Sequence, residues 1–138
     1  MLTSARVESR RDRHGVTLGT DGRSRKLAIP PKPDGFGSSA SGGELLALAL
    51  ATCYCNDLYR EAAARGIEVR AVEVEVEAEF GGAGEPARGI RYRVKVEADA
   101  PDEEVRRLVE HTDRVAEVHA TLRGGIAVEL ESPDAPGG

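Results

Sequence analysis

"SGGELLALALATCYCNDLYREAAARG", Ser41–Gly66, decides the fold. Ser41 and Glu44 form an S-x-x-E pattern, in which a hydroxyl and a carboxylate satisfy each other's backbone N–H groups at a helix start. No Pro or Gly interrupts the chain from there until Gly66, a residue suited to a left-handed helix stop. The spacing predicts one helix from about Glu44 to Arg65. Its first half, Leu45 to Cys53, is apolar on every side and should be buried all round. Its second half carries charge and should emerge into solvent.

Both cysteines of the chain, Cys53 and Cys55, lie on this helix. At about 100° per residue, two side chains two positions apart diverge by about 200°. A disulfide between them would distort the backbone. Zinc is held by four ligands, commonly in CxxC or HxxxH pairs, and His14, His111 and His119 are not spaced to complete such a set. The sequence therefore predicts no metal. Free cysteine is among the most buried residue types, and Cys55 is read as packing. Cys53 lies about 14 Å into the helix, beyond the first turn where the helix dipole acts. Burial raises a thiol pKa, so a reactive thiolate there needs a cation brought by the fold. Arg23 and Arg25, on the strand edge before the loop that leads to the helix, are the candidates.

Upstream, "ARVES", "GVTLGT" and "RKLAIP" alternate apolar and polar residues as strands do, and "TDGR" between the last two carries the Asp-Gly hairpin signal. "PPKPDGFGSSASGG" is a loop by composition. Its "GFGSSA" fits a dinucleotide-binding pattern in letters, but no βαβ unit surrounds it. Downstream, "EVRAVEVEVEAEF" sets Val72, Val74, Val76, Ala78 and Phe80 on one face and Glu73, Glu75, Glu77 and Glu79 on the other. "GIRYRVKVEAD" answers with Arg91, Arg93 and Lys95, which predicts an antiparallel hairpin with cross-strand charge pairs.

"PDEEVRRLVEHTDRVAEVHATL" opens with Pro and three acids, as helices do. It keeps apolar residues at helical spacing to Leu122, with a break expected near His111 to Asp113. "GGIAVELE" predicts a last strand with Ile126, Val128 and Leu130 inward. The order β-β-β-α-β-β-α-β, with strands clustered in hairpins, predicts an α+β fold with a mainly antiparallel sheet and a long buried central helix. One domain is expected over residues 1–132, with a disordered tail over 133–138. So apolar a helix in so small a chain predicts a dimer that covers it.

The 138 residues carry a net charge of −5 and are 4% aromatic with no Trp, which argues against a nucleic-acid surface. No stretch reaches the roughly 20 apolar residues that span a bilayer, so no membrane partner is expected. The N-terminus lacks an apolar signal core, and a cytoplasmic location with reduced thiols is expected.

"SGGELLALALATCYCNDL" resembles the central-helix segment of the OsmC/Ohr family, the osmotically induced and organic-hydroperoxide-resistance proteins. The element order is similar from Thr3 to Glu131. The resemblance implies an intertwined homodimer with the central helices buried between subunits. It implies that Cys53 stands at the position that reduces hydroperoxides through a sulfenic acid, supported by an Arg and a Glu, with no cofactor beyond a thiol reductant. In that family a second cysteine on the later helix, within a Cys-Pro-Val motif, resolves the sulfenic acid. Here the matching stretch is "RVAEVHATL", with Ala116 and Glu117 in place of Cys and Pro. Glu44 lies nine residues before Cys53 instead of ten, about 900° of helix turn, so it faces away and is read as a cap. His119, three residues after the missing thiol, is a candidate base or hydrogen-bond partner for Cys53. The expected function is reduction of organic hydroperoxides through Cys53 with an external thiol as resolving partner. The alternative is a non-catalytic dimer of this fold that binds a small apolar ligand at the subunit interface.

Overall fold

The structure, a computed structural model, describes residues 1–131. The tail expected over residues 133–138 therefore lies outside the described residues. The chain divides into two compact units, Met1–Leu45 and Leu46–Gly138. Among the described residues no helix is long and apolar enough to cross a membrane.

The first unit is a three-stranded antiparallel sheet in the order β1 (Thr3–Arg10), β2 (Arg13–Thr20), β3 (Arg23–Lys26). Asp21 and Gly22 both take positive φ, 47° and 83°, the conformation of a two-residue turn whose twist matches its strands. Thr20 accordingly faces Arg23. Strand β3 is shorter than predicted. Leu27 makes one further bond to Val16 O, and the prolines at 30 and 31 then have no N–H to extend the ladder. The 31–43 loop packs back on the β1–β2 turn, where Asp12 N–H donates to Gly35 O at 2.6 Å. Gly35 has φ +91°, and a Cβ there would meet Asp12 Oδ1 at 2.5 Å.

The loop ends in the predicted capping box. Ser41 N–H donates to Glu44 Oε1 at 2.8 Å, and Glu44 N–H donates to Ser41 Oγ at 3.1 Å. Those bonds from Ser41 hold the Glu44 carboxyl below its ordinary value. Helix α1 runs Gly42–Ala64. At its end Ile67 N–H reaches Ala62 O and Gly66 N–H reaches Ala63 O, with Gly66 at φ +67°. This paired closure of the last carbonyls is the Schellman arrangement.

In the second unit, β4 (Val69–Phe80) and β5 (Ala87–Ala98) form the predicted hairpin. Glu73 faces Lys95, Glu75 faces Arg93, and Glu77 faces Arg91. Arg93 bridges Glu75 and Glu77, the latter at 2.8 Å. These pairs are exposed and contribute little each. The opposite face, Val72, Val74, Tyr92, Val94 and Val96, packs on a core of Tyr54, Leu58, Ala62 and Leu108.

Three expectations are corrected. The buried stripe of α1 is Leu50, Tyr54, Asp57, Leu58 and Ala62, so the charged second half is covered on one side and does not simply emerge into solvent; within the single chain Leu48 of the first half is 56% exposed. Residues four apart stack on one helix face, and the 54–58–62 row is the one that meets the valine face. The last helical stretch breaks at Ala116 and not near His111. Helix α2 (Asp102–Val115) and helix α3 (Glu117–Arg123) are joined by Ala116 at φ −65°, ψ 120°. Residues 126–131 form no strand among the described residues, because no sheet edge pairs with them; Ile126, Val128 and Leu130 are 70%, 98% and 88% exposed.

Because Leu58 is fully buried between α1, α2 and the valine face, Leu58→Ala should lower unfolding stability by about 2–5 kcal/mol, read from the shift in urea midpoint. A change within about 0.5 kcal/mol, the range for surface positions, would place the core elsewhere.

Candidate functional site

Helix geometry puts Cys53, Asp57, Arg60 and Glu61 on one flank of α1, beside the core stripe, at i, i+4, i+7 and i+8. The break at Ala116 brings the start of α3 against this flank. The Cys53 thiol donates to Asp57 Oδ2 at 3.4 Å, and Sγ lies 3.8 Å from Glu117 Oε2. Arg60 contacts Asp57 Oδ1 at 3.1 Å and Glu117 Oε1 at 2.9 Å. It also pairs with Glu61, which holds His111 at 2.7 Å. Asp57 is buried; Arg60 is half-exposed and Glu117 exposed.

This arrangement fixes the protonation chemistry of the flank. Burial, first, pushes the Cys53 thiol above its ordinary value, and the Asp57 and Glu117 carboxylates add to the rise, against a backbone hydrogen bond from Val118. Asp57 is raised by burial and then by its contact with Glu117. Glu117 is lowered to about 2, first by hydrogen bonding from Asp57 and further by Arg60. Of the two carboxyl groups, Glu117 is thus the stronger acid and Asp57 the stronger base. One sulfur and two carboxylate oxygens within 4.8 Å of one another resemble a divalent-cation set. The Arg60 guanidinium brings a positive charge to the same two carboxyl groups.

His119 does not reach this flank. It is 3% exposed, with both ring nitrogens unpartnered among the described residues, and its ring stands 4.9 Å from that of Tyr92 and 6.0 Å from that of Tyr54. Burial, then the charge of Arg123, pull its pKa down, with Asp113 opposing. A cleft of about 310 Å³ is lined by Leu50, Ile90, Tyr92, His119, Leu122 and Arg123. Nearby, Tyr92 donates to Asp113, whose carboxyl burial would raise but which Arg123 and Tyr92 hold low.

Arg23 and Arg25 lie on β3 in the first unit, both exposed. Both cysteines are free. Cys55 lines a different surface, with Ala51, Thr52, Asn56 and Val74, as the 200° divergence requires. Sequence reasoning did not single out Asp57, Arg60 or Glu117. The first two were available from helical spacing to Cys53; Glu117 depends on the break lying at Ala116, beyond the stretch where one is expected from sequence.

The family described as OsmC-like protein matches residues 35–131 of the chain. Solved structures share the fold at low identity. An OsmC-like protein from Mycoplasma pneumoniae superposes with a TM-score of 0.62 and 18% identity, over 88% of this chain and 89% of that one. An OsmC-like protein of unknown function from Vibrio cholerae gives 0.60 and 14%, over 88% and 93%. The organic hydroperoxide resistance protein OhrB of Bacillus subtilis gives 0.58 and 22%, over 93% and 96%. None of the curated proteins matches the chain in sequence.

The buried neutral His119 makes stability depend on pH with a definite sign. An imidazole whose folded pKa is lowered stabilises the fold fully above the unfolded value of about 6.5. That contribution is lost as pH falls through the lower folded value. The urea midpoint should therefore decline on acidification below about pH 6.5, and His119→Phe should flatten this decline. An unchanged slope in the variant would show that another group is its source.

Proposed function

We propose, because this chain belongs to the OsmC-like protein family, that it is a stress-response protein that reduces organic hydroperoxides through Cys53, with an external thiol resolving the oxidised product. The observation that carries this reading is the Cys53 flank: a half-buried free thiol in contact with two carboxyl groups that one guanidinium bridges. The name of the Bacillus subtilis relative, an organic hydroperoxide resistance protein, supports the substrate class. Sulfur attack on the distal peroxide oxygen gives a sulfenic acid and an alcohol. Ala116 stands where the family's second thiol would be, and Cys55 is turned away, so an external thiol must attack the sulfenic acid and a second must release Cys53 as the thiol.

A second reading is binding without turnover. The cleft lined by Leu50, Ile90 and Leu122, with Tyr92 and His119, suits a small apolar ligand, and the raised Cys53 thiol favours it. One measurement separates the two. Reduced protein is treated with cumene hydroperoxide, and the Cys53 peptide is followed by mass spectrometry with a sulfenic-acid trap. On the enzyme reading Cys53 is oxidised, peroxide is consumed, and added dithiol restores the thiol. If Cys53 persists as thiol in excess peroxide, binding without turnover stands.

Both readings place a second copy of the chain over α1. The exposure of Leu48 on α1 and of the alternating Ile126, Val128 and Leu130 supports this, because a partner would remove that apolar surface from water. The chain should run as a dimer in light scattering, and Leu48→Glu should convert it to monomer. A monomeric wild type would overturn the dimer.

A further inference from the structure

We propose that Asp57 is the acid–base catalyst of Cys53: it accepts the thiol proton as sulfur attacks and delivers it to the departing oxygen of the hydroperoxide. This rests on the hydroperoxide reading above and adds to it a named proton path.

The geometry carries it. Asp57 Oδ2 receives the Cys53 thiol at 3.4 Å, while Oδ1 of the same carboxyl is held by Arg60 at 3.1 Å. One oxygen is thus anchored and the other faces the reacting sulfur. The side chain is buried on the same helix, one turn on, so its reach to sulfur is fixed by α1 itself. Glu117, on α3, is anchored through its Oε1 by the same guanidinium. The charged groups that face this thiol are therefore Asp57 from α1 and Glu117 from α3, with Arg60, Glu61 and His111 behind them.

The step balances without a further reactant. The S–H bond breaks and its proton passes to Asp57. Sulfur bonds to the distal oxygen, which keeps its hydrogen, and the O–O bond breaks. The proximal oxygen leaves as alkoxide and takes the proton from Asp57. Thiol plus hydroperoxide becomes sulfenic acid plus alcohol; sulfur is oxidised by two electrons and the peroxide bond is reduced. The carboxyl ends as it began.

A thiol beside a carboxylate would otherwise be a handicap, since the negative charge disfavours thiolate. That opposition provides the test. Alkylation by iodoacetamide needs thiolate and expels iodide, which requires no proton. Peroxide attack expels an alkoxide, which does. In Asp57→Asn the repulsion on the thiolate is gone, so alkylation of Cys53 at pH 7 should rise or hold. Oxidation by cumene hydroperoxide should fall by about tenfold or more, the low edge of or below the usual 10²–10⁴-fold contribution of general acid–base groups. Both rates are read on the Cys53 peptide by mass spectrometry, with a cooperative urea transition as the check of folding. Should the Asn variant misfold, Asp57→Ser, which also removes the carboxyl, carries the same comparison. Peroxide and alkylation rates that rise together would overturn the role of Asp57 and leave the hydroperoxide reading intact. A wild-type Cys53 that peroxide does not oxidise sinks both.

Discussion

The valine face of the β4–β5 hairpin needs a cover, and the 54–58–62 row of α1 supplies it. This contact sets the rotation of the helix about its axis. Tyr54, Leu58 and Ala62 point at the sheet and at Leu108, and Tyr54 fixes the depth by donating to Val109 O at 2.9 Å. Once that row is buried, every other position on α1 has its direction assigned. Cys53 and Asp57 fall on the flank one step round, and Cys55 falls on another. Fully burying a side chain such as Leu58 contributes about 1.5–3 kcal/mol, more than any exposed charge pair on the hairpin. The hydrophobic row therefore decides the orientation, and the thiol's surroundings follow from it.

Ala116 is the second determinant. A continuous helix from Asp102 would have carried residue 117 onward along the α2 axis. One residue in extended conformation redirects the chain, with Ala116 itself buried and its N–H still bonded to Thr112 O. The redirection has two results two residues apart: Glu117 meets the Cys53 flank and His119 enters the space beside Tyr54 and Tyr92. The second has an energetic cost, since two ring nitrogens without partners are left buried. Keeping the imidazole neutral reduces that cost, which is the direction its pKa takes.

What was legible in the sequence had a local cause. The Asp21-Gly22 turn, the Ser41–Glu44 box, the Gly66 stop and the Glu-against-Arg register of β4 and β5 are each written within a few residues or one hairpin. What was not legible depended on tertiary choice. "VELE" alternates like a strand, but alternation does not supply an edge to pair with. The break at Ala116 has no Gly or Pro to mark it, and the apolar spacing runs straight through. Leu45 to Cys53 offers apolar residues on all sides, so composition could not say which would be covered within the chain. At the site, Asp57 and Arg60 were within reach of a helical wheel drawn from Cys53. Arg23 and Arg25 stand out only by chain order, ahead of the loop that leads to the helix, and chain order does not say which cation lies beside a thiol.

The cluster around Cys53 looks at first like a poor place for peroxide chemistry, and magnitudes decide the matter. Each unit by which a thiol pKa rises cuts the thiolate fraction at neutral pH about tenfold. The remaining thiolate is a stronger nucleophile, with a Brønsted coefficient of about 0.4–0.5, so the net loss is about three- to fourfold per unit. A positioned acid–base group is worth about 10²–10⁴-fold. A carboxyl whose cost in thiolate is smaller than its contribution to proton transfer to the alkoxide is a net gain for peroxide cleavage. It is a net loss for any reaction whose leaving group needs no proton. The same geometry that makes Cys53 sluggish toward general electrophiles would make it selective for the O–O bond. Asp57 is suited to this because burial and Glu117 raise it above an ordinary carboxyl, while Glu117, lowered by its hydrogen bond from Asp57 and by Arg60, stays ionised.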